Sequence, residues 1–314
     1  MSKNKIKVLN IIGWGRSGST ILGSVLGEVE GFFFGGEIRN LWNKVILENR
    51  LCGCNKPIKE CTLWEAIFKD AFGSFDSVDF KKIKNLIMSH TRTRHIPFLF
   101  LPKSKQKYKL KLNDYICNLE KLFSSIQKIT NCDVIVDSSK SLVYNFTLSL
   151  LDNIDLYTIH LIRDPRGVNY SRLKTKTHQD TSNGQILMKK INPFINSLMW
   201  DLRNVSSELL LNRNQTNHMV IRYEDFAQYP KETINKILKL LGKENLKLPF
   251  VSDNTVTLNT NHAVWGNPSR FKTGKTEIKL DEEWKTKMKQ GDKLLSTVLT
   301  LPLLVKYGYL APCL

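Results

Sequence analysis

The sequence predicts an α/β fold of the P-loop type, in which helices flank both faces of a central parallel sheet and one helical segment is inserted. Three observations carry this prediction. Four short apolar runs are each closed by a polar loop and a helical pattern, the alternation typical of parallel sheets. A glycine-rich turn follows the first run, as in nucleotide-binding units. A long segment, 43–131, has helical periodicity and separates the first two runs.

Each predicted element follows from its own pattern. Four runs rich in apolar and β-branched residues have the length of buried strands, namely 7–12, 133–137, 156–162 and 219–222. Segments with helical spacing follow them, for example 20–29 after the first run and 230–241 after the last. Because ligands bind beyond the carboxyl ends of parallel strands, we expect the functional residues in the loops after these runs.

The size of the chain suits one large domain. It has 314 residues, of which 41% are hydrophobic, enough to bury a sizeable core. We predict a single domain over 1–314, with 43–131 as a helical insertion that covers the ligand site. The longest apolar run, 294–305, contains a proline and is too short to span a bilayer, and the first residues have no signal-peptide core. These features predict a soluble, cytoplasmic protein without a transmembrane segment.

The formal net charge is +18, from 47 Lys and Arg against 29 Asp and Glu. Such a charge indicates either a polyanionic partner or simply a composition rich in Lys, Asn and Ile. The densest stretch, 103–111, alternates Lys with other residues and has the pattern of a solvated helix or loop. The sequence contains no RNA- or DNA-binding motif with interleaved aromatics, so we predict no specific nucleic-acid partner.

Three of the six cysteines are close in sequence: Cys52, Cys54 and Cys61. Thiolates are zinc ligands, but a tetrahedral site needs a fourth ligand, and this spacing matches no known zinc finger. His262, like the other histidines outside the predicted strands, has no ligand spacing. We therefore predict reduced structural thiols here and assign no metal to the chain.

The turn 13–20, GWGRSGST, has the outline of a Walker A loop but lacks its lysine, because Ser19 stands in that position. Its backbone N–H groups can still hold an anion at the start of a helix, and Arg16 adds a guanidinium. In kinases the missing lysine reaches the β- and γ-phosphates. The loop therefore fits a ligand with one phosphate at this position and needs no metal.

A second anion-binding sequence, RDPRGVNYS, follows the third predicted strand. Arg163 stands at the end of that strand, and Ser171 lies two turns into the next helix. Two separate anion sites on one sheet indicate a nucleotide that is phosphorylated at both ends. An Arg–Asp pair that only closes the loop is the alternative explanation of this motif.

Together the two motifs resemble those of the PAPS-dependent sulfotransferase family, where PAPS is 3′-phosphoadenosine 5′-phosphosulfate. The first is similar to its 5′-phosphosulfate loop and the second to its 3′-phosphate motif. The sequences RYEDF at 222–226 and GNPSRFKTG at 266–274 also resemble family landmarks, the latter the loop that closes over the nucleotide. The resemblance runs from about residue 7 to Tyr309, except in the insertion, and the cysteine cluster is similar to that of bacterial-type members.

The resemblance implies an enzyme that transfers a sulfuryl group from PAPS to a hydroxyl or amine and releases 3′,5′-bisphosphoadenosine (PAP), with no metal required. The segment GEIR resembles the tyrosylprotein branch, which implies Glu37 as the base and Arg39 as a substrate-binding residue. Lys140 and Arg16 are expected to stabilise the leaving phosphate. The structural alternatives are a salt bridge from Glu37 to Arg39 or Arg16, and a helix-capping role for Lys140.

The resemblance also implies the residues that bind the donor. In the first loop and beyond it they are Gly15, Arg16, Ser17, Gly18, Ser19, Thr20, Arg163, Ser171, Tyr223, Arg270, Lys272 and Gly274. Arg163 and Ser171 are expected at the 3′-phosphate, helped by Arg270 and Lys272, and Tyr223 at the adenine. The acceptor is left open among small molecules, glycans, lipids and peptides. We expect 43–131 to select it, and the positive charge of this segment favours an acidic or phosphorylated acceptor.

Two other functions are compatible with parts of the sequence. A kinase on the same scaffold would need the Walker lysine and Mg²⁺ ligands, and Ser19 argues against it. A module that only senses PAP or binds nucleic acid is compatible with the net charge. The presence of both Glu37 and Lys140 favours an enzyme over such a module.

Overall fold

The computed structural model describes residues 5–174, 177–181, 184–187, 190–214 and 217–310. Within these residues the strands are β1 (Ile6–Gly13), β2 (Phe32–Gly36), β3 (Val134–Lys140), β4 (Ile154–Ile162), β5 (Thr177–Thr181), β6 (Gly184–Leu187), β7 (His218–Arg222), β8 (Thr255–Leu258) and β9 (Gly274–Glu277). Five of these strands form one parallel sheet in the order β2-β3-β1-β4-β7. The pairs β5–β6 and β8–β9 form two small antiparallel ribbons.

The helices cover both faces of the sheet. The α-helices of the described residues are α1 (Ser19–Gly27), α2 (Ile38–Asn40), α3 (Thr62–Phe72), α4 (Phe80–His90), α5 (Ser104–Lys111), α6 (Asn113–Thr130), α7 (Leu142–Leu148), α8 (Pro165–Leu173), α9 (Pro193–Asn214), α10 (Tyr223–Gln228), α11 (Pro230–Leu240), α12 (Glu283–Lys287), α13 (Gln290–Leu299) and α14 (Leu301–Lys306). Shorter helical segments are a π-helix at Leu41–Val45 and 3₁₀ turns at Ile58–Glu60, Thr93–Phe100 and Pro268–Phe271.

The predicted fold class is confirmed. Each of the four predicted strands is present, as β1, β3, β4 and β7. The sheet has a fifth strand, β2, whose sequence FFFGG was not predicted to be a strand. This edge strand is important for the site because it ends one residue before Glu37.

Alternate side chains of β1 enter two different hydrophobic cores. Val8 and Ile12 pack with the helices of the insertion on one face. Leu9 and Ile11 pack with α1 and α11 on the other face. Both faces of a parallel sheet are covered in this way, which explains why its strands read as continuous apolar runs.

Local capping explains why helices begin directly after the strands. Asp164 accepts a hydrogen bond from the backbone N–H of Arg166 (2.8 Å), and Pro165 occupies the first turn of α8. Ser141 accepts from the backbone N–H of Tyr144 (3.3 Å) at the start of α7. Such caps satisfy N–H groups that the first helical turn leaves free. The loops after β3 and β4 are therefore short and fixed.

Residues 43–131 form mainly helices that pack on one face of the sheet. Trp42 is fully buried just before this segment, and its ring contacts Phe80 and Tyr115 at centroid distances of 6.0 and 6.2 Å. This aromatic core fixes α4 and α6 against the sheet. None of the described helices of the chain is both long enough and apolar enough to cross a bilayer.

Candidate active site

A cavity of about 770 Å³ lies beyond the carboxyl ends of β1, β3 and β4. The connection after β1 leads to one side of the sheet and the connection after its neighbour β4 to the other, so this cavity lies where α/β proteins place their ligands. We call it the main cavity. Its lining residues include Gly15, Arg16, Gly18, Ser19, Thr20, Glu37, Lys140, Arg163, Ser171, Arg172, Tyr223, Trp265, Gly266, Asn267, Lys272, Lys279 and Asp281.

The glycine-rich loop after β1 turns sharply into α1. Gly18 is the N-cap of α1 and has a φ of 86°, a conformation that favours glycine. A Cβ atom there would also lie 2.5 Å from the ring of Tyr223. The loop therefore presents the N-terminus of α1 to the main cavity, which is a favourable place for an anion.

The two predicted anion motifs are in direct contact. Arg16 Nε donates a hydrogen bond to Ser171 Oγ (2.9 Å), and Arg163 Nη1 donates to the carbonyl of Arg16 (3.0 Å). Burial lowers the pKa of Arg16, and the nearby charge of Arg163 lowers it further. An anion in the cavity would relieve this repulsion between two guanidinium groups.

Arg163 is held between an aromatic ring and a carboxylate. Its guanidinium lies 4.4 Å from the centroid of the Tyr223 ring, and Nη2 donates to Asp281 Oδ2 (3.0 Å). The Tyr223 hydroxyl donates to the carbonyl of Lys279 (3.1 Å). Burial raises the pKa of Tyr223, so the hydroxyl keeps its proton at neutral pH. These contacts fix the direction of Arg163 in the cavity wall.

Glu37 and Lys140 form an ion pair at one end of the main cavity. Glu37 directly follows β2, and Lys140 is the last residue of β3. These strands are neighbours in the parallel sheet, so their carboxyl ends bring the two residues together. Asn40 Nδ2 donates to the second oxygen of Glu37 (2.8 Å), and Lys140 also contacts Ser19 Oγ at 3.3 Å. The alternative pairing of Glu37 with Arg39 or Arg16 is not observed among the described contacts.

Three residues that line the main cavity have left-handed backbone conformations that are unfavourable for their type. The φ angles are 77° at Arg16, 58° at Lys140 and 58° at Trp265. Such conformations cost free energy and persist where the surrounding structure fixes them. The backbone is therefore strained at the two cations that were expected to stabilise a leaving phosphate.

A buried carboxyl lies behind the ion pair. Asp137 has no solvent exposure, and its Oδ1 accepts a hydrogen bond from the backbone N–H of Ser139 (2.9 Å). Burial raises the pKa of Asp137 to about 7. Ser139 Oγ in turn accepts from the backbone N–H of Arg39 (3.1 Å). Asp137 thus supports the segment that carries Arg39.

A second cavity of about 390 Å³ is also lined by the two residues of the ion pair. We call it the side cavity. Gly15, Glu37 and Lys140 line both cavities. The other lining residues include Arg39, Asn40, Asn43, Lys44, Met88, Thr91, Arg92, Thr93, Ser139, Ser141 and Arg203.

The side cavity is strongly cationic. Among the described residues that line it, Glu37 is the one carboxylate, against Arg39, Lys44, Arg92, Lys140 and Arg203. The Nε atoms of Arg39 and Arg203 are buried without a hydrogen-bond partner in the described part of the chain. Burial lowers the pKa of Arg203 to about 10, with a further contribution from Arg39. A bound anion would satisfy both guanidinium groups.

Three of the predicted donor-binding residues do not line the main cavity. Arg270 has no solvent exposure and forms a buried ion pair with Asp180, so the structure does not place it at the cavity where it was expected to bind a phosphate. Gly274 begins β9 outside the cavity, with no atom within 4 Å of a Cβ built on it. Ser17 is buried, and its hydroxyl donates to the carbonyl of Trp14 (2.7 Å), a structural contact within the loop. The other predicted residues line the main cavity, except that Arg39 lines the side cavity.

The charged residues of the two cavities that sequence reasoning missed include Arg172, Arg203 and Asp281. Arg172 packs on Gly15, where a Cβ would lie 2.3 Å from its Nη2. Burial lowers its pKa to about 10, and Arg16 adds to this effect. Arg172 directly follows Ser171 and could have been found as part of that motif. Arg203 and Asp281 belong to segments with no recognisable motif.

The cysteine cluster has a fourth partner that the sequence did not reveal. The ligand atoms of Cys52, Cys54, Cys61 and His262 all lie within 4.8 Å of one another. The spacing of His262 in the sequence indicated no role for it, and the structure places it beside the three cysteines. The separation of 201 residues between Cys61 and His262 explains why spacing could not show it.

The profile described as "Sulfotransferase domain" matches residues 8–293. The sulfotransferase domain of the Synechococcus PCC 7002 olefin synthase is similar in structure, with a TM-score of 0.55 and 16% identity over 99% of this chain and 98% of that one.

Two further solved structures are also similar, at lower TM-scores. The sulfotransferase domain from the curacin biosynthetic pathway has a TM-score of 0.48 and 15% identity, covering 95% of this chain and 99% of that one. Sulfotransferase STF9 from Mycobacterium avium has a TM-score of 0.43 and 10% identity, covering 77% of this chain and 65% of that one. No curated protein sequence matches the chain significantly.

Proposed function

The chain belongs to the sulfotransferase domain family, and from this premise we propose that it transfers a sulfuryl group from PAPS to an anionic acceptor. The main cavity is the proposed donor site and the side cavity the proposed acceptor site. The single observation that carries the proposal is that Glu37 and Lys140 line both cavities. A sulfuryl group that moves from a ligand in one cavity to a ligand in the other must pass the residues that line both, which we call the junction.

In the proposed donor site the 5′-phosphosulfate binds at the N-terminus of α1, close to Arg16 and Lys140. The 3′-phosphate binds at Arg163 and Ser171, and the adenine lies near Tyr223. Support comes from the contact between Arg16 and Ser171 (2.9 Å), which makes the two anion sites parts of one cationic surface. Phosphate binding at Arg163 would compete with Asp281, which now pairs with this guanidinium.

The proposed chemistry is an in-line displacement at sulfur. The acceptor oxygen or nitrogen forms a bond to sulfur, the bond from sulfur to the bridging phosphate oxygen breaks, and PAP leaves. Glu37 takes the proton of the acceptor, and Lys140 with Arg16 stabilises the charge that develops on the leaving oxygen. The present ion pair holds the lysine beside the base at the same junction. No step of this displacement requires a metal.

The charge of the side cavity supports an anionic acceptor. Arg39 Nη2 donates to Thr91 Oγ1 (3.1 Å), which aligns its guanidinium while its buried Nε has no partner in the described structure. Arg203 Nε is in the same state, so two buried donors point to an anionic ligand group. Thr91 and Met88 belong to 43–131, so this segment contributes directly to the proposed acceptor site. A carboxylate or phosphate on the acceptor would match this arrangement.

The proposed function is tested by incubation with PAPS radiolabelled at sulfur and pairs of hydroxyl acceptors. In each pair one acceptor carries a carboxylate or phosphate group, and the other is its fully methylated, neutral ester. We expect label transfer to the anionic member of a pair without added metal. The proposal would be wrong if the label moved to neither member of any pair while the protein transferred a phosphoryl group from ATP with Mg²⁺. The protein would then be a kinase.

A further inference from the structure

Three cysteines and one histidine that the proposed reaction does not use converge outside the two cavities. Cys52 and Cys61 are fully buried, whereas Cys54 and His262 are partly exposed. Cys61 Sγ lies 3.2 Å from His262 Nδ1 and 3.7 Å from Cys54 Sγ, and Cys52 Sγ lies 3.7 Å from His262 Nδ1. From this geometry we propose that the four side chains bind one Zn²⁺ ion as a structural site.

The distances between the ligand atoms fit a tetrahedral metal. Zn–S bonds of about 2.3 Å and Zn–N bonds of about 2.0 Å, at tetrahedral angles, separate the ligand atoms by about 3.5 to 3.8 Å. The separations of 3.2 and 3.7 Å in the cluster are close to these values, and no pair of ligand atoms exceeds 4.8 Å. A small ion therefore fits at the centre with little movement of the side chains.

The type and number of the ligands favour zinc in a structural role. Thiolates and imidazole are the ligands that Zn²⁺ prefers, whereas Mg²⁺ and Ca²⁺ bind oxygen atoms. Four protein ligands fill a tetrahedral shell and leave no position for water or substrate, as in structural zinc sites. The described cysteines are free rather than joined in disulfides. The net charge of three thiolates is largely neutralised by one divalent cation.

The site would join two parts of the chain that are distant in sequence. Cys52 and its neighbours precede α3, while His262 begins the segment 262–267 that runs along the main cavity. Gly53 N–H donates to the carbonyl of Ala263 (3.0 Å), and Trp64 Nε1 donates to the carbonyl of His262 (2.9 Å). A metal bond to His262 would fix this segment more firmly than these hydrogen bonds alone.

This segment also contacts the proposed catalytic residues. The backbone N–H of Glu37 donates to the carbonyl of Val264 (2.8 Å), and the N–H of Val264 donates to the carbonyl of Gly35 (3.0 Å). A Cβ atom added to Gly266 would lie 3.3 Å from Glu37 Oε1. The zinc ion would thus hold the wall of the main cavity next to Glu37 without contact to the reacting atoms.

The direct test is the metal content of the full chain, purified without a histidine tag from cells grown with zinc. Elemental analysis should give one zinc per chain. After removal of the metal with a strong chelator, the unfolding temperature should fall by roughly 5 °C or more, and Zn²⁺ should restore it. Addition of Co²⁺ to the metal-free protein should produce the intense visible bands of a tetrahedral cobalt–thiolate centre.

Two variants identify the ligands. His262→Ala should lower the zinc content and change the Co²⁺ spectrum to that of a site with one fewer nitrogen ligand. Cys117→Ser is the matched control, because Cys117 is an exposed free cysteine on α6, outside the cluster, and should retain one zinc per chain. The wild-type measurement remains decisive if His262→Ala fails to fold.

Absence of zinc from the purified wild-type chain, with no uptake of Zn²⁺ or Co²⁺, would overturn the proposal. An intact mass two hydrogens below the reduced value would also overturn it, since it would show a disulfide such as Cys54–Cys61. Both results are obtained without any assay of sulfuryl transfer. Failure of the zinc site and failure of the proposed reaction are therefore distinguishable.

Discussion

The two cavities that meet at Glu37 and Lys140 are built from different kinds of sequence. The main cavity is lined by loops and helices that follow strands of the sheet and by the segment 265–281, and two of its cations, Arg16 and Arg163, belong to short motifs. The side cavity takes its walls from the segment 43–131, from α9 and from the residues after β2. The proposed donor site is thus fixed by the fold itself, and the proposed acceptor site by what is added to the fold.

The largest expected effect lies at the junction of the two cavities. Glu37→Gln should lower the turnover number by at least about a hundredfold, since a lost general base has that scale. The Kd for PAP should stay unchanged, because Glu37 is not among the residues proposed to hold the phosphates. Steady-state kinetics and calorimetry measure the two quantities. Unchanged turnover would show that Glu37 is not the base. The residues shared by the two cavities would then no longer mark the site of transfer.

A second prediction sharpens the division of the main cavity into two phosphate sites. Arg163→Ala should weaken PAP binding by about tenfold to a hundredfold, the effect of losing one hydrogen-bonded charge pair. Adenosine 5′-phosphosulfate, which lacks the 3′-phosphate, should be affected much less. Equal losses for both ligands would show that the 3′-phosphate binds elsewhere.

Substitution of Asp281, the carboxylate beside Arg163, should have the opposite effect on PAP binding. Asp281→Asn removes the negative charge that now pairs with Arg163, so PAP should bind roughly threefold to tenfold more tightly. Weaker binding of PAP by this variant would mean that Asp281 supports the nucleotide rather than competing with it.

A third prediction concerns the side cavity alone. Arg203→Met should raise the KM for an anionic acceptor by about tenfold and leave the Kd for PAP unchanged, because Arg203 lines only the side cavity. Arg213→Met is the control, since Arg213 is exposed on the same helix and donates to the carbonyl of Phe100 (3.1 Å). Loss of PAP binding in Arg203→Met would show that the two cavities are not separate sites.

The smallest effect is expected at Asp137, the buried carboxyl behind the ion pair of Glu37 and Lys140. The pKa of Asp137 is raised by burial from 3.8 to about 7. Between about pH 4 and pH 7 the unfolded chain has lost this proton while the folded chain keeps it, so this group makes stability fall as pH rises through that window. In Asp137→Asn, which keeps an oxygen acceptor for Ser139, the free energy of unfolding should depend less on pH there. Chemical unfolding at several pH values measures this, and an unchanged slope would contradict the raised pKa.

The same division between local and added sequence explains what could be predicted from the sequence. The strands β1, β3, β4 and β7 follow from patterns within a few residues. Arg16 and Arg163 stand in local motifs after two of these strands, and Lys140 was expected from the family resemblance. The edge strand β2 escaped prediction because three phenylalanines followed by two glycines lack the β-branched pattern of the other strands.

Long-range pairing accounts for the remaining differences. Arg270 belongs to a motif that resembles the donor-binding loop, but its guanidinium pairs with Asp180, which is 90 residues away. His262 joins the cysteines across 201 residues, and Arg203 reaches the side cavity from the middle of α9. Such partners are set by tertiary packing, which neither spacing nor periodicity encodes.

The measurement that tests the central claim most directly is a calorimetric titration of the chain with PAP, with and without Mg²⁺. We predict micromolar binding that does not depend on the metal, because the main cavity supplies its own cations for both phosphates. Absence of PAP binding, or binding only of ATP together with Mg²⁺, would contradict the assignment of the main cavity to a PAPS donor.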